Sequence, residues 1–430
     1  MLETIGFAFA SLLMDLFGQK TTSTEVAAII SWQEAKVFDV PTQADSKVEA
    51  IVKDYLKRLA AQGYAIEQQG IWLQSEWAQL ARHQDSLPAS AASLTKIATT
   101  IAALETWSLD RRFETRIYQT GTLNNGVVEG DLIVQGDGDP LFVWEEAIAL
   151  GNALNQLGIR QIKGNLIVAG KFYMNFKSDP QASGELLKLG LDSRRWTPLI
   201  QKQYQSMPSQ TPRPQVAIAG GIQVRRDSLP DASQLLLRHQ SLTLAQLLKK
   251  MNVYSNNVMS EMIGDAVGGA AAVSQIAAKF ARVSPDEIQL INTSGLGVEN
   301  RISPRAACQM LMALQDKLKS HSLSVADLFP VGGRDRNGTM QWRSIPSGIA
   351  VKTGTLAQVS ALAGVIPTKE RGLVWFAIIN RGGNIERLRA EQDRLLQRLS
   401  QHWNVIPATA NSVTNNAFFG DPNRNLKTDG

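Results

Sequence analysis

The chain holds a single cysteine, Cys308, so no internal disulfide and no multi-cysteine metal site can form. Its apolar setting, Ala306-Ala307-Cys308-Gln309-Met310-Leu311, reads as an inert core thiol. Histidine is nearly as scarce. His83, His239, His321 and His402 lie far apart, with no His-x-x-x-His pair and no Gly-x-Ser-x-Gly elbow, which speaks against a zinc hydrolase and against a Ser-His-Asp hydrolase. Charge of one sign is lacking too: 44 basic and 39 acidic side chains give a net charge of +5, far from the concentrated basic stripe that nucleic acid requires. No nucleic-acid partner is expected.

Long apolar runs are missing as well. Ile5 to Leu16 is the most apolar terminal stretch, but Glu3 precedes it, Asp15 interrupts it, and it is shorter than the roughly 20 residues that span a bilayer. Residues 1–24 are therefore assigned as a signal segment or an amphipathic anchor, the latter giving peripheral membrane association, with a misassigned start codon as a third reading. No internal repeat is present.

What remains is ordinary globular material: 430 residues, 44% hydrophobic, enough for two or three structural units. Val48, Ile51, Val52, Tyr55 and Leu59 give Ser46 to Ala61 helical spacing, and Tyr64-Ala65-Ile66 with Ile71-Trp72-Leu73 read as a strand pair. Ala91 to Trp107 carries Leu94, Ile97, Ala98, Ile101 and Leu104 on one helical stripe. From about Arg112 to Phe172 short apolar runs alternate with turn residues, and from Lys177 to Arg238 many prolines and polar residues predict irregular chain. Helical spacing resumes at Leu242 to Asn252 and Val258 to Val267. Three apolar runs near 349–351, 359–366 and 372–380, then an amphipathic stretch from Ile385 to Trp403, predict an antiparallel sheet closed by a terminal helix. The expected class is α/β (α+β): residues 25–110 and 240–405 form one domain, 111–239 a β-rich, partly irregular insertion, and 406–430 a disordered tail.

Three short motifs carry the chemistry. A serine hydroxyl must pass its proton to a base, and in Ser93-Leu94-Thr95-Lys96 a lysine follows one helical turn later, on the same face. A helix N-terminus would also leave the Ser93 N–H free for a developing oxyanion. In Ser255-Asn256-Asn257, Ser255 can relay a proton and Asn257 can hold a substrate amide, although an ordinary helix cap has the same composition. In Lys352-Thr353-Gly354-Thr355, Gly354 admits a close backbone approach and the Thr355 N–H can complete an oxyanion hole. Lys352 with Thr353 or Thr355 can bind a substrate carboxylate. Separately each motif is common; together, in this order and on these elements, they arise by chance in only about one chain in a hundred. A second cation at Lys352, with burial, would depress the Lys96 pKa and free it to act as a base.

The triplet is the signature of penicillin-binding proteins and their relatives. Over most of its length the chain resembles the D-alanyl-D-alanine carboxypeptidases/endopeptidases of the penicillin-binding protein 4 type. The resemblance is carried by Ser93 to Thr100, Gly130-Asp131-Leu132 through Pro140, Met251-Asn252 with Ser255-Asn256-Asn257, Thr293-Ser294-Gly295-Leu296, Phe329 to Gly333, Gly338-Thr339 and Val351 to Leu356. It implies a β-lactamase/transpeptidase-like domain, an acyl-enzyme on Ser93 and peptidoglycan peptides as substrate. It further implies β-lactam antibiotics as covalent inhibitors, no metal or organic cofactor, and a periplasmic or cell-envelope location. The Trp-Asp region that meets the peptide's free amine in the family is not recognisable between Asp179 and Trp196, and the Ser294 loop, with Asn292 and Gly297 at unusual positions, is read as structural. Two other readings stand beside this one: a β-lactamase or esterase on the same scaffold, with Tyr254-Ser255-Asn256 as a Tyr-x-Asn motif, and a non-catalytic envelope scaffold.

Overall fold

In the computed structural model, which describes residues 45–406 and 418–428, the first periodic stretch forms the helix Ser46–Ala61. Asp45 caps it, its carboxylate accepting from the Val48 N–H at 3.1 Å. The expected segment 1–24 lies outside the described residues. Tyr64-Ala65-Ile66 is not a strand. Ile66–Gln68 is a 3-10 turn, and Gly70–Gln74 pairs instead with Gly372–Arg381, more than 300 positions away. Local alternation identified the strand but not its partner.

A five-stranded antiparallel sheet runs in the order Ala350–Leu356, Val359–Thr368, Gly372–Arg381, Gly70–Gln74, Gln79–His83. Successive strand residues point to opposite faces, so its apolar runs are buried on both sides. Trp72, Ala361, Ala363, Trp375, Ala377 and Ile379 pack with the helices Thr95–Thr106 and Pro304–Lys319, whose core includes Cys308, as expected for an inert thiol. Leu73, Leu362, Ile366, Phe376 and Ile378 face the helices Ser46–Ala61 and Ile385–Trp403. Among the described residues no helix is long and apolar enough to cross a membrane.

The stretch expected to be irregular is ordered. Between Lys177 and Arg238 lie the helices Pro180–Gly190 and Pro198–Tyr204 and the strands Ala217–Ile218 and Ile222–Arg225, with Gln234–Thr243 crossing its end. Pro180, one of the prolines that suggested irregular chain, starts a helix instead: like Pro198 it occupies a first-turn position, where the missing N–H costs nothing, and Asp179 caps its helix. A six-stranded sheet runs Ile222–Arg225, Leu166–Lys171, Leu132–Asp137, Arg112–Gln119, Gln234–Thr243, Asn425–Lys427, with its first three strands parallel. Its core of Ile117, Val134, Leu154, Val168 and Leu187 is separate from those of the five-stranded sheet.

The final strand corrects a second expectation. Residues 407–417 and 429–430 lie outside the described set, but 418–428 are ordered, and Asn425–Lys427 pairs antiparallel with Leu237–His239. Arg424 reaches inward to Glu146 at 2.5 Å and to the Gln240 carbonyl at 3.1 Å, and Asn425 Oδ1 accepts from the His239 Nδ1–H at 2.9 Å. Burial pushes His239 down to about 3, so its imidazole is neutral at every physiological pH. A polar tail is thus held by one added strand and one buried ion pair rather than by an apolar stripe. Arg424→Ala leaves the Glu146 carboxylate buried without its guanidinium, and should cost about 3–5 kcal/mol. Urea unfolding measures it, and an unchanged midpoint would show that the terminal strand adds nothing to stability.

Candidate active site

Ser93 sits in a single 3-10 turn, Ala92–Leu94, and the α-helix proper begins two residues later as Thr95–Thr106. Its predecessor Ala92 has φ 47°, a left-handed conformation that costs a residue with a Cβ about 1–2 kcal/mol. Two contacts hold it there. Thr95 Oγ1 donates to the Ala92 carbonyl at 2.9 Å, and Gly295, itself at φ +83°, lies so close that a Cβ on it would overlap the same oxygen. The turn projects Ser93 from an otherwise buried segment, and Ser93 alone among Ala91–Lys96 keeps partial solvent access.

Lys96 is fully buried. Its Nζ lies 3.1 Å from Ser93 Oγ, 2.8 Å from Asn257 Oδ1 and 2.6 Å from the Ser294 carbonyl. A neutral amine has two N–H groups and one lone pair. The two carbonyl oxygens accept the two N–H groups, which leaves the lone pair for the Ser93 hydroxyl. Burial lowers the Lys96 pKa to about 7, while the Glu261 carboxylate acts in the opposite direction. Lys352 is also buried, and both burial and repulsion from Lys96 hold its pKa well below the usual lysine value. The expected effect of Lys352 on Lys96 therefore changes emphasis: desolvation dominates for the base, and the repulsion falls on Lys352.

The second motif is read by its hydrogen bonds. The helix Leu244–Tyr254 ends at Ser255, which takes a left-handed conformation (φ 50°, ψ 41°) and thereby turns the chain into the next helix, Asn257–Ala266. Ser255 Oγ accepts from Lys352 Nζ at 2.9 Å, and Asn257 reaches Lys96. Asn256 is spent locally, its side chain accepting from the Met259 N–H at 3.0 Å as the helix cap. The frame is Ser-x-Asn, not Tyr-x-Asn, and the cap falls on Asn256 rather than on Ser255.

The third motif forms the edge strand of the catalytic sheet, with Lys352 opposite Ala363 and Gly354 opposite Ala361. This strand lies directly against the nucleophile turn. A Cβ on Gly354 would come within 2.8 Å of the Ala91 carbonyl oxygen and 3.1 Å of the Ser93 nitrogen, so only glycine allows the two backbones to sit this close. Lys352 does not reach the surface as a carboxylate ligand. Besides Ser255, its Nζ bonds the Thr353 carbonyl at 2.6 Å, leaving Thr355 as the exposed polar residue of the motif. The predicted residues thus form two hydrogen-bonded groups, Ser93 with Lys96 and Asn257, and Ser255 with Lys352, with Thr353, Gly354 and Thr355 along one side.

Three groups escaped the sequence reading. Glu261, one turn after Asn257, accepts from the Thr293 N–H at 3.1 Å, from Thr293 Oγ1 at 2.8 Å and from the Ser294 N–H at 2.9 Å. The Ser294 loop, read as purely structural, supplies a carbonyl to Lys96. Arg389, on the terminal helix, donates to Thr355 Oγ1 at 2.9 Å. The i, i+4 spacing of Asn257 and Glu261 is the only one of these signals present in sequence. A Cβ at Gly354 would have to push the motif strand away from the Ser93 turn, so Gly354→Ala should lower the melting temperature by several degrees. An unchanged melting temperature would show that the close approach is not needed.

Comparison with known proteins places this geometry. The model of the D-Ala-D-Ala carboxypeptidase 3 (S13) family matches residues 47–181 and 214–402. The D-alanyl-D-alanine carboxypeptidase DacB of Haemophilus influenzae is 24% identical over 379 residues, 65% of this chain and 78% of that protein. The carboxypeptidase DacB of Mycolicibacterium smegmatis is 24% identical over 346 residues, 71% of this chain and 73% of that protein. Among solved structures, a penicillin G acylated predatory endopeptidase of Bdellovibrio bacteriovorus, in complex with an immunity protein, superposes with a TM-score of 0.70 at 21% identity, covering 84% of this chain and 99% of that one. Penicillin binding protein 4 of Haemophilus influenzae gives 0.59 at 20% identity, covering 81% and 98%. With its family model matched across most of its length and the three motifs gathered at one serine, the chain belongs to the D-Ala-D-Ala carboxypeptidase 3 (S13) family.

Proposed function

We propose that the protein is a serine D-Ala-D-Ala carboxypeptidase that also cleaves D-alanyl cross-links of peptidoglycan, through an acyl-enzyme on Ser93. The observation that carries this reading is the 3.1 Å contact between Lys96 Nζ and Ser93 Oγ, in which the lone pair of a neutral Lys96 accepts from the Ser93 hydroxyl while its two N–H groups are engaged by Asn257 and Ser294. Ser93 Oγ attacks the carbonyl of the penultimate D-alanine as its proton passes to Lys96 Nζ. The negative charge that develops on the carbonyl oxygen is met by backbone N–H groups of Ser93 and Thr355 across the narrow gap that Gly354 permits. Ser255, hydrogen-bonded to Lys352, passes its proton to the departing amine and is reprotonated through Lys352, and the proton that Lys96 took from Ser93 restores Lys352, which leaves Lys96 neutral again. Water then attacks the ester carbonyl, its proton passing to Lys96 and from there to the departing Ser93 oxygen, which frees Ser93. β-Lactams, whose strained amide mimics the scissile bond, would acylate the same oxygen.

A hollow of about 390 Å³ opens beside the second motif, with Leu141, Trp144, Phe176, Tyr254 and Met259 on its walls and Glu145 and Lys250 among its polar residues. Contributed by both the insertion and the catalytic region, it would take a side chain of the stem peptide where the family's Trp-Asp feature is not recognisable. The substrate lies outside the cytoplasmic membrane, so the protein would work in the cell envelope, in the periplasm where one exists.

Two outcomes test the mechanism. Lys96 must be neutral to accept a proton, and its pKa is lowered to about 7, so acylation should be fast above pH 7 and lost as the pH falls below it. A pre-steady-state acylation profile without an ionisation between about pH 6 and 8 contradicts a lysine base. Fluorescent penicillin should give a stable gel band that disappears in both Ser93→Ala and Lys96→Ala. No band together with consumption of the drug would mean β-lactamase-like turnover, and no band without consumption would mean a scaffold lacking catalysis.

A further inference from the structure

Two side chains from outside the matched family residues reach the hollow beside the second motif: Gln203, on the helix Pro198–Tyr204, and Phe419, in the terminal segment 418–428. Phe419 packs against the apolar core that includes the nucleophile helix, although its segment is anchored on the insertion. The anchor is tight. Gly420 takes a left-handed φ of 73° and lies so close to the Glu145 carbonyl that a Cβ would come within 2.8 Å of the oxygen. Four positions later Arg424 pairs with buried Glu146, and Asn425–Lys427 adds the last strand of the six-stranded sheet. The segment thus delivers one aromatic ring to a hollow that the second motif borders.

That ring meets a cation without a counterion. Lys249 and Lys250 are neighbours on the helix Leu244–Tyr254, and they diverge. Lys249 is buried and satisfied, its Nζ reaching the Asp335 carboxylate at 3.0 Å and the Ala326 carbonyl at 3.3 Å. Lys250 is half-buried, its Nζ lies 5.1 Å from the centre of the Phe419 ring, and among the described residues no carboxylate pairs with it. Burial lowers its pKa, with no charged neighbour acting in either direction. The carboxylate that lines the hollow, Glu145, is buried and accepts from Gln203, and burial raises its pKa. An ammonium on an aromatic face gains from the ring's negative face yet keeps N–H donors for a further ligand. Enclosed on one side by Phe419, it meets an anion with less solvent screening than a surface lysine does.

We propose that the terminal segment completes the substrate site: Phe419 holds the Lys250 ammonium in the hollow, and that ammonium binds a carboxylate on the side chain of the residue preceding the two terminal D-alanines. The assignment rests on the serine peptidase reading above and deepens it by naming the charge of the side chain taken. It also gives the segment 418–428 a part in specificity beside its part in stability.

The test compares three peptides, N-acetyl-Xaa-D-Ala-D-Ala, with the full-length protein. Xaa is L-2-aminoadipate, its side-chain amide or L-ornithine, so the side chains differ in charge at nearly equal length. Release of D-alanine gives kcat/KM for each, and the ratio between two peptides does not depend on how much of a variant is folded. Wild type should prefer the acid over the amide by about tenfold, mainly through KM, and take the ornithine peptide least. Lys250→Met should bring the acid-to-amide ratio to about one, and Lys250→Arg should keep most of it. Phe419→Ala should lower the ratio by about threefold or more, because the ammonium is then open to solvent. Equal values for acid and amide in wild type, or a preference that survives Lys250→Met, would overturn the carboxylate assignment. A ratio unchanged by Phe419→Ala would overturn the part given to the terminal segment. Wild-type protein that releases D-alanine from none of the peptides and forms no penicillin adduct would instead overturn the peptidase reading on which the assignment rests.

Discussion

Burying the Lys96 ammonium sets the terms for the rest of the site. In water a lysine keeps its proton to about pH 10.4, and no serine would pass a proton to it near neutrality. Removing the solvent makes the charged form costly, and pKa falls until the neutral amine is populated. The protein must then satisfy the amine's N–H groups without offering a carboxylate in contact, since a direct ion pair would restore the charge. Two carbonyl oxygens, from Asn257 and Ser294, do this. They also fix the lone pair on Ser93, so the group that tunes the base orients it.

That requirement reaches outward into the fold. The Asn257 side chain is placed by a left-handed Ser255 between two helices, and the Ser294 carbonyl by a loop lying under the strained Ala92. Thr99 Oγ1 and Ser260 Oγ both donate to the Thr293 carbonyl, at 2.7 and 2.6 Å, tying the nucleophile helix and the Asn257–Ala266 helix to the same loop. Gly295 and Gly354 close the remaining distance, one beneath the nucleophile turn and one beside it. Stretches far apart in sequence, the first two on either side of the 111–239 insertion, thus converge through short polar links in an apolar surround, where such links are stronger than in water.

Much of this was legible in the sequence because its carriers are local. The helix Ser46–Ala61, the three sheet runs and the terminal helix announce themselves through spacing, and Ser93, Lys96, Ser255, Asn257 and Lys352 through residue type and order. What stayed hidden was pairing at a distance. Gly70–Gln74 looked like half of a hairpin but joins a strand from the other end of the chain, and Asn425–Lys427 looked like disordered tail because its anchor, Glu146, lies 278 positions before Arg424. Pro180 misled for another reason: composition does not distinguish a proline that breaks a helix from one that starts it, whereas the neighbouring cap, Asp179, does.

Glu261 shows why the local motifs alone do not determine the chemistry. Its carboxylate gathers three hydrogen bonds from Thr293 and Ser294, which orients the Ser294 carbonyl toward Lys96. Its negative charge also favours the lysine's charged form, against desolvation. The two effects cannot be separated by moving the residue, because the same oxygens perform both. Without the carboxylate the loop would lose its clamp and Lys96 an acceptor; with a carboxylate in direct contact, Lys96 would remain an ammonium. Holding the charge one peptide unit away, behind the Ser294 backbone, satisfies both demands, and leaves the base poised near neutrality rather than at either extreme.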